Sequence, residues 1–112
     1  MMEKAGITPQ VIDNPHGCSS IDIGCALSRE LFANGCSATA IFASTDSMAL
    51  GVLQAADEYG ISIPEDISLL GFDNIIYSAL PKIELSTIDQ RKQLLAEAAV
   101  DLLTRIIDSD EQ

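Results

Sequence analysis

Tryptophan is absent, histidine occurs once, and phenylalanine and tyrosine together make up 4% of the 112 residues. No Ser/His/Asp set offers His16 a plausible partner, and neither a G-x-S-x-G turn nor a glycine-rich phosphate loop occurs. Cysteine is scarce: Cys18, Cys25 and Cys36 form no C-x-x-C pair, and with a single histidine they leave too few soft ligands for a zinc site. They read instead as small buried or half-buried thiols in a reducing, cytoplasmic setting. Basic residues are few, six against 17 acids, for a net charge of −11. Such a surface repels phosphate backbones, so this chain by itself is not expected to bind nucleic acid. The acids are scattered, as on an ordinary solvated surface, and form no tail. No apolar run approaches the ~18 residues that a bilayer span needs, which leads to the expectation of a soluble domain without membrane contact. The opening MMEKAGITPQ lacks the basic and apolar regions of a signal peptide. Met1–Lys4 reads as the tail of a helix stopped by Gly6, which suggests a piece of a longer chain.

What is present is one domain's worth of apolar residues, 47% of the chain, in alternating strand-like and helix-like runs. Ile7–Ile12 is a short strand candidate closed by the turn formers Asp13-Asn14-Pro15-His16-Gly17. Ser19 or Ser20 caps a helix to about Ala33, stopped by Asn34-Gly35. Ala38–Ala43 is too short for a helix and suits a strand covered on both faces. Met48, Ala49, Val52, Leu53, Ala56 and Tyr59 form a helical stripe ended by Gly60. Ile67–Phe72 is a second buried strand, introduced by Pro64, and a short extended segment lies near Leu85–Ile88. The last helix spans roughly Gln90–Ser109, with apolar pairs four residues apart and an Asp101–Arg105 pair opposite. Alternation of this kind predicts an α/β fold: a parallel sheet with right-handed crossovers and helices on both faces.

Two strands end on carboxylates at the same edge of that sheet, the edge where open α/β sheets bind ligands. Asp73 either takes a bidentate pair of hydrogen bonds from a polyol or purine N–H, or is a turn-forming Asp beside Asn74. Asp46 either caps the following helix or contacts ligand directly, and the hydroxyls of Thr45 and Ser44 share its edge. An Mg²⁺ site between the two aspartates would need a lysine to neutralise phosphoryl oxygens, and Lys4, Lys82 and Lys92 lie at no strand end of the core. No metal, cofactor or enzymatic activity is expected. Leu50 breaks its helix's stripe; it is either a lone exposed leucine or, with Ala79-Leu80-Pro81, part of a subunit contact.

The segments AIFASTDSMALG, GISIPEDISLLGFDN and LSTIDQ, with the closing amphipathic helix, resemble the effector-binding core of LacI/GalR-type bacterial transcription repressors. D-x-M-A-x-G and P-E-D-I-S-x-x-G-F-D carry the resemblance by their combination and spacing, from about Gly17 to the end. It implies a periplasmic-binding-protein-like I fold, with residues 1–112 as most of the C-terminal subdomain of the effector core. The DNA-binding domain and N-terminal subdomain would lie outside these residues. Asp73 matches the family's ligand-binding aspartate. Thr45 stands where relatives often place a polar effector contact, and Asp46 belongs to the same motif, where it organises the loop and helix start. Ser19 occupies a position where some relatives stack an aromatic, which this chain lacks. Ile83 and Ala96 replace a proline and a glycine common in the family. Leu50, Leu80 and Pro81 fall where the family's core domains meet as homodimers. The function implied is sensing of a small, sugar-like effector to control operator binding; a transport binding protein of the same fold is the alternative.

Overall fold

In a computed structural model, the described residues are 5–15 and 17–110. The expectations for Met1–Lys4 and His16 fall outside them. Helix α1 spans Ile21–Ala33, strand β1 Ala40–Phe42, helix α2 Asp46–Glu58, strand β2 Ser68–Phe72, strand β3 Ser86–Ile88 and helix α3 Lys92–Asp110. A single 3₁₀ turn, Ile76–Ala79, lies between β2 and β3. The three strands run parallel in the order β1-β2-β3, with Ile41 opposite Leu69 and Gly71 opposite Thr87.

Local chemistry accounts for the helix ends. Ser20 caps α1 by accepting from the amide of Ile23, and Thr45 caps α2 by accepting from that of Met48. Gly35 and Gly60, at φ +82° and +70°, turn the chain out of α1 and α2 in the left-handed region. Asp46 is thus not the cap; the residue before it is. The core is built of small side chains: Cys25, Ala43, Ala49, Val52, Ala55, Ala56, Ile67 and Leu69 are buried, with Phe32 at one end. Smallness lets the two helices touch backbone to backbone. A Cβ on Gly24 would sit 2.4 Å from the carbonyl oxygen of Met48, and one on Gly51 would sit 2.3 Å from that of Ile21. Arg29 of α1 and Glu58 of α2 bridge the far end with two hydrogen bonds of 2.7 and 2.6 Å.

Four expectations need correction. Cys18, expected as a buried or half-buried thiol, is exposed, while Cys25 is buried and Cys36 half-buried. Helices cover one face of the sheet, where Ile41, Leu69 and Gly71 point; on the other face Phe42, Leu70 and Ile88 are exposed. The reason lies in α3, which turns away at Arg91 (φ +53°) with its described side chains exposed, in a molecule 62 Å long. Its apolar pairs, Leu94/Leu95 through Ile106/Ile107, therefore remain unburied, while Asp101 and Arg105 pair at 2.9 Å as expected. Ile7–Ile12 forms no strand. A cleft of about 190 Å³, lined by Ile12, Leu27, Leu31 and Ile41 among others, separates it from the free edge of β1, so its backbone has no ladder to join. Finally, Gln90 and Arg91 precede α3 and do not belong to it.

The α1–α2 contact yields a prediction. Gly51→Ala has to push a methyl into the α1 backbone, so it should destabilise the protein by about 2 kcal/mol or more in denaturant unfolding. An unchanged midpoint would mean that the helices are not packed this closely.

Candidate functional site

The carboxyl ends of all three strands lie on one rim, and each leads at once into polar residues. β1 runs through Ala43 and Ser44 to Thr45-Asp46, β2 into Asp73-Asn74, and β3 into Asp89-Gln90. Helices α1 and α2 start at the same end, since Gly24 lies against Met48 and Gly51 against Ile21. Ser19, Thr45 and Asp73 are thereby gathered on one side of the sheet. Ser19 is exposed, one residue before the cap of α1, and Thr45 is half-buried. The Thr45 hydroxyl accepts the capping hydrogen bond at 3.2 Å and keeps its own proton to donate.

Asp46 organises the loop and helix start, as its motif implies, and does so from the interior. Its side chain is completely buried (0% exposed). Its Oδ2 accepts from the amide of Ile75 at 3.0 Å and from the hydroxyl of Ser78 at 2.7 Å, and its Oδ1 accepts from the Thr87 hydroxyl at 2.6 Å. Thr87 Oγ1 in turn accepts from the Asn74 amide at 3.2 Å. One carboxylate thus ties the start of α2 to the loop after β2, the 3₁₀ turn and β3. Burial pushes the Asp46 carboxyl up, but hydrogen bonds from Thr87, Ser78 and the backbone of Ile75 and Asn74 outweigh it, and the group titrates below the ordinary aspartate range. Gly71 completes the arrangement: a Cβ there would lie 2.2 Å from Asp46 Oδ1. The expectation that Asp46 contacts ligand is therefore corrected, because its acceptors are buried and spent on internal donors. The same occupancy argues against an Mg²⁺ ion held jointly with Asp73.

Asp73 remains at the surface of the rim, half-buried, with its amide donating to the carbonyl of Ile88 at 2.9 Å. That bond prolongs the β2–β3 ladder by one step and fixes where the carboxylate emerges. The backbone here is left-handed at two successive non-glycine residues, Asp73 at φ +129° and Asn74 at φ +57°. Such conformations cost on the order of 1–3 kcal/mol each and persist only where surrounding contacts impose them. Gln90 Nε2 donates to Asp73 Oδ1, and among the described residues Oδ2 has no protein donor. Lys92 Nζ donates to the carbonyl of Asn74 at 3.1 Å. Ser78, Thr87 and Gln90 were not identifiable from sequence; nothing in a lone Ser, Thr or Gln marks a partner 17 to 41 positions away. Of the remaining expected positions, Leu80 and Pro81 are exposed and Leu50 is half-buried.

Removing the Asp46 carboxylate should be costly. Asp46→Ala orphans three donors and is expected to lower stability by at least ~3 kcal/mol in denaturant unfolding. Because the folded pKa is depressed, the carboxylate's contribution is present above the unfolded value of ~3.9 and is lost as pH falls through the folded one. Wild-type stability should therefore decline below about pH 4, and Asp46→Asn should flatten that decline. An identical acid profile in the variant would contradict this role.

Comparison with known proteins agrees with this geometry. The family profile described as a periplasmic binding protein-like domain matches residues 1–112. The HTH-type transcriptional repressor PurR of Glaesserella parasuis serovar 5 is 47% identical over 75 residues, which cover 66% of this chain and 22% of the relative. The lac repressor dimer bound to operator and the anti-inducer ONPF superposes with a TM-score of 0.84 at 30% identity, over 96% of this chain and 37% of its own. A LacI family transcriptional regulator from Enterococcus faecium with bound ribose gives a TM-score of 0.74 at 35% identity, over 83% and 34%. The chain thus spans about a fifth of the curated relative and about a third of each structural one. A parallel sheet ending in Asp46 and Asp73, matched by that profile throughout, places this chain in the periplasmic-binding-protein-like family, as the effector-domain type found in LacI/GalR-family regulators.

Proposed function

We propose that this chain is the C-terminal subdomain of the effector-sensing core of a LacI-type transcriptional regulator, and that its rim seats a small, hydroxyl-rich, sugar-like molecule. Asp73 is the principal ligand contact. The observation that carries this reading is its carboxylate, held at the strand-end rim by an imposed left-handed backbone with Oδ2 unspent. A carboxylate accepting from two neighbouring hydroxyls forms the strong, charge-assisted kind of hydrogen bond. Thr45 contributes a hydroxyl donor, and Ser19 borders the site from the start of α1. The ribose bound by the Enterococcus faecium relative supports the ligand class. The role in this reading is sensing, in keeping with relatives that are transcriptional repressors.

Control of DNA follows from linkage. A ligand shifts a regulator only to the extent that it prefers one arrangement of the protein over another. The net charge of −11 keeps operator contact away from this chain and assigns it to other parts of the regulator, which works in the cytoplasm where the DNA is. The exposed face of α3 and the open sheet face with Phe42, Leu70 and Ile88 support the reading of residues 1–112 as one part of a larger core. We also assign the homodimer contact to Leu50, Leu80 and Pro81; the lac repressor dimer supports a twofold assembly.

Two measurements on the full-length protein test this reading. In differential scanning fluorimetry against a panel of pentoses, hexoses, disaccharides and purine bases, at least one compound should raise the melting temperature. Asp73→Ala should weaken binding of that compound about 100-fold, the equivalent of ~2.7 kcal/mol. An unaltered thermal shift in the variant would remove Asp73 from the site. Leu80→Glu, placing a charge at an exposed position, should move the sedimentation coefficient from dimer towards monomer with little change in melting temperature. A dimer that persists would place the contact elsewhere.

A further inference from the structure

The carboxylate of Asp73 is not free to turn. Its Oδ1 accepts from Nε2 of Gln90, and Gln90 lies two residues past the end of β3 and two before α3 begins. The connection between those elements is only Asp89-Gln90-Arg91, and it is bound on both sides of Gln90. Upstream, the Asp73 amide donates to Ile88 and the Asn74 amide to Thr87. Downstream, Lys92 Nζ donates to the carbonyl of Asn74. Within the connection, Asp89 Oδ1 accepts from the amide of Arg91 at 2.8 Å, and Arg91 adopts φ +53°, the bend that sends α3 away from the sheet. Beyond Lys92, the described side chains of α3 are exposed and take no part in anchoring it. The exit of α3 is therefore governed by a few polar contacts, most of them to Asp73 and Asn74. The superposition on the lac repressor covers 96% of this chain, a span that includes most of α3.

We propose that Gln90 is the positioning residue of the Asp73 carboxylate, holding Oδ1 so that Oδ2 faces the ligand, and that this hydrogen bond also sets the angle at which α3 leaves the sheet. The inference rests on the reading of Asp73 as the ligand-binding carboxylate and extends it to a residue and an element that the ligand need not touch. An exposed carboxylate on a left-handed residue samples several rotamers; one donor bound to Oδ1 removes most of that freedom before ligand arrives, so less order has to be imposed on binding. Because Gln90 sits on the short connection, any ligand that draws Asp73 to a new rotamer also pulls on the first turn of α3. Occupancy of the rim is in this way converted into a displacement of a 19-residue helix, whose far end lies far from the site.

Hydrogen exchange by mass spectrometry on the ligand-free full-length protein tests the link without knowledge of the effector. Gln90→Ala and Asp73→Ala should each speed exchange of the amides of residues 95–100, the first in α3 with intrahelical acceptors, roughly tenfold, as expected for loss of one charge-assisted hydrogen bond. The double variant should exchange no faster than either single one, because both break the same contact. Peptides from α2 should keep the wild-type rate in all variants. Asp73→Asn retains an acceptor oxygen for Gln90 and should exchange like wild type, a rescue that general loosening of the rim would not produce. Wild-type exchange in Gln90→Ala, or multiplicative effects in the double variant, would overturn the link. A separate titration with D-ribose isolates the underlying reading: Asp73→Asn binding ribose as tightly as wild type would defeat Asp73 as a ligand group while leaving the exchange result to decide on Gln90.

Discussion

A buried carboxylate holds this rim together. Asp46 has no contact with water, and a charge in that position persists only if its lone pairs are met by donors. The donors come from the loop after β2, the 3₁₀ turn and β3, none of them adjacent in sequence. Their separate positions are thus coupled through two oxygen atoms. The coupling reaches into the strand as well, because β2 has to offer a residue without a side chain, Gly71, where Oδ1 comes to rest. The hydroxyl of Thr87 passes the constraint on to the amide of Asn74, next to Asp73. The position of Asp73 on the rim is thus tied, through Thr87 and Asn74, to a carboxylate buried behind it.

The body beneath the rim is thin. Two helices in backbone contact and a three-stranded sheet make two layers, and small residues at the helix interface allow the close approach. The buried polar network of Asp46 adds directional contacts that fix one arrangement, whereas the Arg29–Glu58 bridge is solvent-exposed and contributes little by itself. The second face of the sheet and the described side chains of α3 stay open, an amount of exposed apolar surface that isolated domains seldom carry.

Most secondary structure was legible because its signals are local. Small-residue periodicity, Ser20 and Thr45 as helix starts, and Gly35 and Gly60 as stops act over a few residues, and the observed helices follow them closely. Where two neighbours offer the same chemistry, the local signal divides: Thr45 and Asp46 are both good caps, and the choice fell to the distant donors that claim Asp46. The strand expected at Ile7–Ile12 failed for a related reason. Apolar and β-branched residues favour extended backbone, but a strand also needs a partner edge within hydrogen-bonding distance, and a cleft intervenes. Burial of α3 was likewise implied by its apolar pairs, whereas the bend at Arg91 sent that face away from the sheet.

From its residues alone the chain's class, parallel order and the strand-end location of two aspartates were determined, since hydrophobic period and turn chemistry encode which segments pair and where they stop. The division of labour between those aspartates was not. Asp46, four residues past β1, and Asp73, directly after β2, are the same side chain on one rim, and only the folded chain brings Ser78, Thr87 and the Ile75 amide to one of them and Gln90 to the other. A carboxylate's role is set by the number of donors that reach it and by its access to water, and both quantities come into being only when distant segments meet.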